Sequence, residues 1–169
     1  MRIMPRLLAC GILACASTAS AQVATSPLAR FAGNWDLRGT QSAGSREDTY
    51  HIFEYCRWSN QQAFMVCEER TVGKAISDVT LMWHDESAHL FRFAGISIDG
   101  SAGSGTIDIA PHRWVWNGNS RGAQRDRTVN QWVTPDKVVY TVEASSDGGK
   151  TWKSTGHGTE ERLQAAPAS

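Results

Sequence analysis

Two runs rich in aromatic and β-branched residues, Tyr50–Trp58 (YHIFEYCRW) and Ala63–Thr71 (AFMVCEERT), flank the polar turn Ser59-Asn60-Gln61-Gln62, and a cysteine sits in each run. Such runs, bounded by turn formers, are the signature of a β-hairpin. A turn centred between Gln61 and Gln62 places Cys56 directly opposite Cys67, and opposed residues meet the roughly 4.4–6.8 Å between Cα atoms that a disulfide needs. A bridge closing so short a loop contributes about 2–3 kcal/mol. The same register pairs Glu54 with Glu69, two residues outward on the same face. In an apolar interior, facing carboxylates repel and one holds its proton near neutral pH, which suits general acid/base work or cation binding. Tyr50 or Arg70 would then be neighbours. On an outer face the pair is simply solvated, and that is the expectation, because a one-residue slip would separate the two.

The compartment decides what the cysteines do. The leader MRIMPRLLACGILACASTASAQ has a basic start (Arg2, Arg6), an apolar core (Leu7–Ala16) and a small-residue cleavage site, Ala19-Ser20-Ala21. These are the three parts of a signal peptide, expected over residues 1–21. Its apolar core falls short of the roughly 20 residues that span a bilayer, and no transmembrane segment is expected elsewhere. Lipid anchoring at Cys15 is the competing reading, because Ile12-Leu13-Ala14-Cys15 loosely resembles a lipobox. Either way the chain is exported, periplasmic or secreted. Cleavage at the Ala-Ser-Ala site removes Cys10 and Cys15, so Cys56 and Cys67 remain as a disulfide pair in an oxidising compartment.

The chain carries 17 basic and 17 acidic residues with no long run of one sign. This argues against nucleic acid or an anionic membrane as the main partner. After a linker (22–27), one domain is expected over 28–163, followed by a disordered tail (164–169). Ser26–Gly33 fits a short helical turn with Pro27 at its first position. Strands are then expected at Trp35–Arg38, the two hairpin arms, Ile76–His84, His89–Ser97, Ala102–Ile109, Arg113–Asn117, Arg125–Trp132, Lys137–Ser145 and Thr151–Arg162. Gly39–Asp48 reads as a polar loop, and Gly95, Gly100, Gly103 and Gly105 as the marks of sharply bent strands. About ten strands joined by short turns predict an all-β fold, an antiparallel up-and-down barrel, with a β-sandwich as the alternative.

Three motifs stand out. Ser145-Ser146-Asp147-Gly148-Gly149-Lys150-Thr151-Trp152 matches the Asp-box Ser-x-Asp-x-Gly-x-Thr-Trp. It resembles the hairpin turn repeated in sialidase propellers. The single copy here reads as a structural turn built by Ser145, Asp147, Gly149, Thr151 and Trp152. Gly33-Asn34-Trp35 resembles the Gly-x-Trp opening of lipocalins and other calycins, which implies that Trp35 plugs the closed end of a barrel. Trp114-Val115-Trp116 forms a strand rich in large rings. With the cysteine hairpin, these features resemble a lipocalin-like family of exported bacterial proteins of unassigned function, over about Leu28 to Leu163. The resemblance implies a closed barrel and brings no catalytic residues. Nitrobindins, haem-binding barrels of similar size, are more distantly similar. Their Gly-x-Trp-x-Gly-x-Gly opening breaks down at Asp36-Leu37-Arg38-Gly39, and His157 is the one candidate for their haem ligand, so no cofactor is expected.

Candidate sites follow from residue types. Trp58, Met82, Phe91, Phe93, Trp114, Trp116 and Tyr140 are candidates to line a cavity for a small apolar or aromatic ligand. Around Leu81–Ile109 both faces are apolar, so Met82, Phe91 and Phe93 compete with Leu90, Ile107 and Ile109 for the interior. His84 and His89 flank Asp85–Ala88 and should be opposed across it, where Asp85 or Glu86 could join them on a metal. The expected function is therefore ligand binding without catalysis. An envelope interaction module with a filled barrel is the first alternative, and an enzyme using Glu54 and Glu69 the second.

Overall fold

The computed structural model describes residues 26–164, apart from 44–45, 60–61, 74–75 and 120–121. The expected signal peptide, Cys15 and nearly all of the expected tail lie outside the described residues. A 3-10 turn, Pro27–Phe31, leads into ten strands. These are β1 (Gly33–Ala43), β2 (Arg46–Trp58), β3 (Met65–Thr71), β4 (Ile76–Asp85), β5 (Leu90–Ser97), β6 (Ala102–Ala110), β7 (Arg113–Gly118), β8 (Arg125–Thr134), β9 (Lys137–Ser145) and β10 (Lys153–Arg162). Each pairs antiparallel with the next, and β10 closes the ring on β1, from Trp35 opposite Arg162 to Gln41 opposite Gly156. The fold is a closed up-and-down barrel, not a sandwich.

The hairpin register holds: Cys56 faces Cys67, bonded with Cα atoms 4.1 Å apart, and Glu54 faces Glu69. Two expectations change. Gly39–Asp48 is not a loop, because β1 and β2 stay paired as far as Ala43 opposite Arg46. Its polarity reflects strand ends that are wet on both faces. The glycines at 95, 103 and 105 do not mark bends either. The register shifts lie at Glu69/Arg70, Trp132/Thr134 and Ser154/Gly156. Gly95, Gly103 and Gly105 instead share the inward face with Phe93, and a side chain at Gly105 would collide with the Phe93 ring and the Asn117 carbonyl.

One end of the barrel is filled. The 3-10 turn lays Leu28 and Phe31 across it, both buried, and Phe31 packs its ring 5.0–5.9 Å from those of Trp35, Trp114, Trp116 and Trp132. Trp35 is fully buried and donates its indole N–H to the Phe31 carbonyl at 2.8 Å. The Arg162 guanidinium lies 4.1 Å over the Trp35 ring, and its N–H groups bind the carbonyls of Ala32 and Arg30 and the Asp136 carboxylate. The period-two alternation of the strands thus turns Met65, Met82, Ile107, Trp114, Trp132 and Val138 into one core at this end.

Candidate functional site

The inward residues divide by height. Toward the closed end they are fully buried: Trp35, Cys56, Cys67, Met65, Met82, Trp114, Trp132 and Val138. Toward the other end, inward Tyr50, Ile52, Glu54, Glu69, Thr80, Phe93, Trp116, Thr128 and Val142 keep part of their surface accessible. Glu54 and Glu69 belong to this inward set by register, and burial is the largest influence on both carboxyls. The barrel is filled below and hollow above. A pocket of about 240 Å³ lies against Phe93, Trp116, Gly118, Thr128 and Val142. It adjoins a wider one of about 790 Å³ at the open end of β5–β8, which shares Phe93, Gly118 and Asp126 with it and also meets Gly95 and Gly103.

All seven candidate ligand residues lie on the inward face, at different depths. Phe93 and Trp116 reach the pocket, their rings 5.2 Å apart. Trp58 and Phe91 pack against the closed-end core, as do Met82 and Trp114 within it. Tyr140 lies along the wall, over β10 and β1, and brings its hydroxyl 2.5 Å from that of Tyr50. The two rings fit because Gly39 and Gly158 lie beneath them, where any Cβ would meet a tyrosine hydroxyl. Inward Met82, Phe91, Phe93, Ile107 and Ile109 all share the interior, whereas Leu81 points out. The apparent competition arose because several of the outward residues here are apolar as well.

The lumen is unexpectedly acidic. The register sets Glu54, Glu69, Asp78 and Ser97 in one directly opposed inward row across β2–β5, with the Ser97 hydroxyl donating to Asp78. Glu160, from β10, is the third buried glutamate, and its Oε2 has no hydrogen-bond partner among the described residues. Burial pushes the Glu69 carboxyl up to about 7, helped by Asp78, and that of Glu160 up to about 8, helped by Glu69. Burial also holds Glu54 well above the usual carboxylate range, with Glu160 and Glu69 adding repulsion. The solvated outer-face expectation for Glu54 and Glu69 is therefore corrected. Glu160, Asp78, Asn130 and Thr128 escaped the sequence reading. Only the strand period of β10, unreadable through Gly156 and Gly158, would have placed Glu160 inside.

Other candidates fall elsewhere. Arg70, opposite Phe53, is exposed on the outer face and does not join the glutamates. His84 and His89 are not opposed. Asp85 pairs with Leu90 and His84 with Phe91, which leaves His89 in the turn at φ +52°. The reason is Asp85, whose Oδ1 accepts from the Ser87 and Ala88 backbone N–H groups and the Ser87 hydroxyl, so the turn begins one residue later. His84 instead lies 2.9 Å from Glu86. Glu54, Cys56 and Cys67 bring potential ligand atoms within 4.8 Å, but both sulfurs are spent in the disulfide. His157 faces outward beside Thr40, and no described histidine faces the open half of the lumen, so the residues present do not fit haem. In the Asp-box turn, Asp147 accepts from the Lys150 and Thr151 backbone and from the Ser145 and Thr151 hydroxyls, which holds its carboxyl far below the usual range. Trp152 leaves that turn to stack under the Arg127 guanidinium at 3.9 Å.

A plugged, half-hollow ring of ten antiparallel strands defines a lipocalin-like barrel. Among solved structures the chain is similar to Rv2717c from M. tuberculosis, with a TM-score of 0.57 and 13% identity over 88% of this chain and 100% of that one. It is also similar to the S-type phycobiliprotein lyase CPES from Guillardia theta, with a TM-score of 0.53 and 12% identity over 89% of this chain and 100% of that one. At such identities the likeness is one of fold. No protein-family model and no curated protein matches the sequence.

Proposed function

We propose that this is an exported binding protein that takes a small apolar or aromatic molecule into the open half of its lumen. The observation that carries the reading is the pocket between Phe93 and Trp116, seated on an aromatic plug and open at the opposite end. Concave, largely apolar walls with a few polar groups are what small-molecule sites are made of. A barrel serving only as an interaction module has no need of a half-empty interior. The bonded Cys56–Cys67 pair supports export, since such bridges persist in oxidising compartments. Among the described residues no helix is long and apolar enough to cross a membrane.

A native mass spectrum of the purified protein should carry a resident ligand as a stoichiometric extra mass. An emptied sample should enhance the fluorescence of a neutral aromatic dye, N-phenyl-1-naphthylamine. Phe93→Ala and Trp116→Ala should each weaken that dye by about tenfold, the loss expected when a buried ring contact worth over 1 kcal/mol is removed. Unchanged dye affinity in both variants would overturn the reading.

A further inference from the structure

We propose that the molecule received by the lumen is an organic cation, an arylalkylamine whose ammonium is held by Glu54, Glu69 and Glu160 while its ring lies along Phe93 and Trp116. The inference rests on the lumen-binding reading and deepens it. Its first ground is the arrangement of acids. Glu54 and Glu69 are directly opposed on neighbouring strands, with Asp78 next in the row. Glu160 comes from β10, on the other side of β1, and is close enough to raise the proton affinity of Glu54. The three glutamates thus sit on one stretch of the inward face, on β10, β2 and β3, with only β1 between them.

The second ground is independent of the clustering: Glu160 is 7% exposed, and its Oε2 has no hydrogen-bond partner among the described residues. A buried carboxylate oxygen left bare costs free energy that a bound donor recovers. No described residue supplies that donor. None of the three glutamates appears in an ion pair among the described residues. Arg162, the inward cation two residues along β10, spends its guanidinium on Ala32, Arg30, Asp136 and the Trp35 ring. Arg127, which lines the Phe93–Trp116 pocket, is held by Glu143, so among the described residues neither arginine is paired with the three glutamates.

The surroundings choose an organic cation over a metal ion. Calcium asks for six to eight oxygen ligands and magnesium keeps several waters. Beside Glu54 and Glu160 the walls are Leu37, Ile52 and Val138, which offer no side-chain oxygen, and past Glu69 the row continues with Asp78 and Ser97, which are bonded to each other. Toward the mouth lie the rings of Tyr50 and Tyr140, and aromatic faces attract ammonium groups. Groups that face the glutamates and could titrate are Asp78 and these two tyrosines; burial raises both phenols, so neither competes as an anion. An ammonium in this site draws the carboxyls into their ionised form. Its affinity should therefore rise between about pH 6 and pH 8, while an aliphatic amine stays protonated.

The test displaces N-phenyl-1-naphthylamine from the purified protein near pH 7.5 with three competitors of one shape: 2-phenylethylamine, 2-phenylethanol and 3-phenylpropionate. The amine should displace at a concentration about tenfold below the alcohol, with the acid weakest. In the triple variant Glu54→Gln, Glu69→Gln, Glu160→Gln the dye should still bind and the advantage of the amine should vanish. Glutamine matches the shape of the protonated carboxyl, and retained dye binding shows that the variant folds. Equal potency of amine and alcohol, or an advantage that survives the triple variant, overturns the cation while leaving the lumen reading intact. Thermal stabilisation by calcium chloride with none by the amine overturns it in favour of a metal. A dye that does not bind the wild-type protein at all ends both readings.

Discussion

At Glu69 and Glu160, folding takes a carboxyl from water into an interior that prefers it protonated. Both groups bind protons more tightly in the folded chain than their ordinary value of 4.5 allows. The folded state therefore holds more protons than the unfolded state between about pH 4.5 and pH 8, so stability falls as pH rises through that window. Because Glu69 titrates together with its carboxylate neighbours, the fall belongs to the cluster and not to one residue. Urea unfolding at about pH 5 and pH 8 should show the empty protein more stable at the acid end, and Glu69→Gln and Glu160→Gln should each flatten the difference. Trp35 is the opposite kind of residue, with no charge and no exposed surface. Trp35→Ala should cost about 3–5 kcal/mol in the same measurement, since the cavity it leaves lies among Phe31, Trp132 and Arg162.

Among the elements, the β2–β3 hairpin and the β9–β10 turn carry their instructions locally. Cys56→Ser with Cys67→Ser should lower stability by about 2–3 kcal/mol, measured by urea unfolding against the bonded protein. Asp147→Ala should speed amide exchange across residues 146–152 while leaving the closed-end core protected, because Asp147 gathers the Lys150 and Thr151 N–H groups of that turn alone. These elements were legible in the sequence for the same reason: turn formers, paired cysteines and the Asp-box all act within a dozen residues. The period-two pattern likewise placed Val138, Tyr140, Val142 and Ala144 on one face. What stayed hidden depends on distant strands. Glu54 and Glu69 could be paired from the hairpin register, but which side of the sheet became the inside was decided by ring closure. Glu160 follows two glycines and offers no alternation to read. His89 was misplaced because the side chain of Asp85, and not the loop length, sets where that turn begins.

For the whole molecule, closure is the long-range event. Thr40 meets His157 across 117 positions of sequence, and every strand has two neighbours only once β10 has docked on β1 and β9. Non-local pairing of this kind delays folding, since the loop entropy is spent before the contacts return it. A chain ended at Ser145 should lose cooperative thermal unfolding and expose the edges of β1 and β9 to association, seen by calorimetry and light scattering.

The docking of β10 on β1 also decides which way the barrel faces. β1 starts and β10 ends at the plugged end, where Leu163 donates its N–H to Asn34 beside the Trp35–Arg162 pair. Anything joined to the domain through residue 33 or residue 163 thus leaves from the floor of the vessel. A tether, reporter or solid support attached on either side will hold the opening away from itself, toward whatever the solution brings.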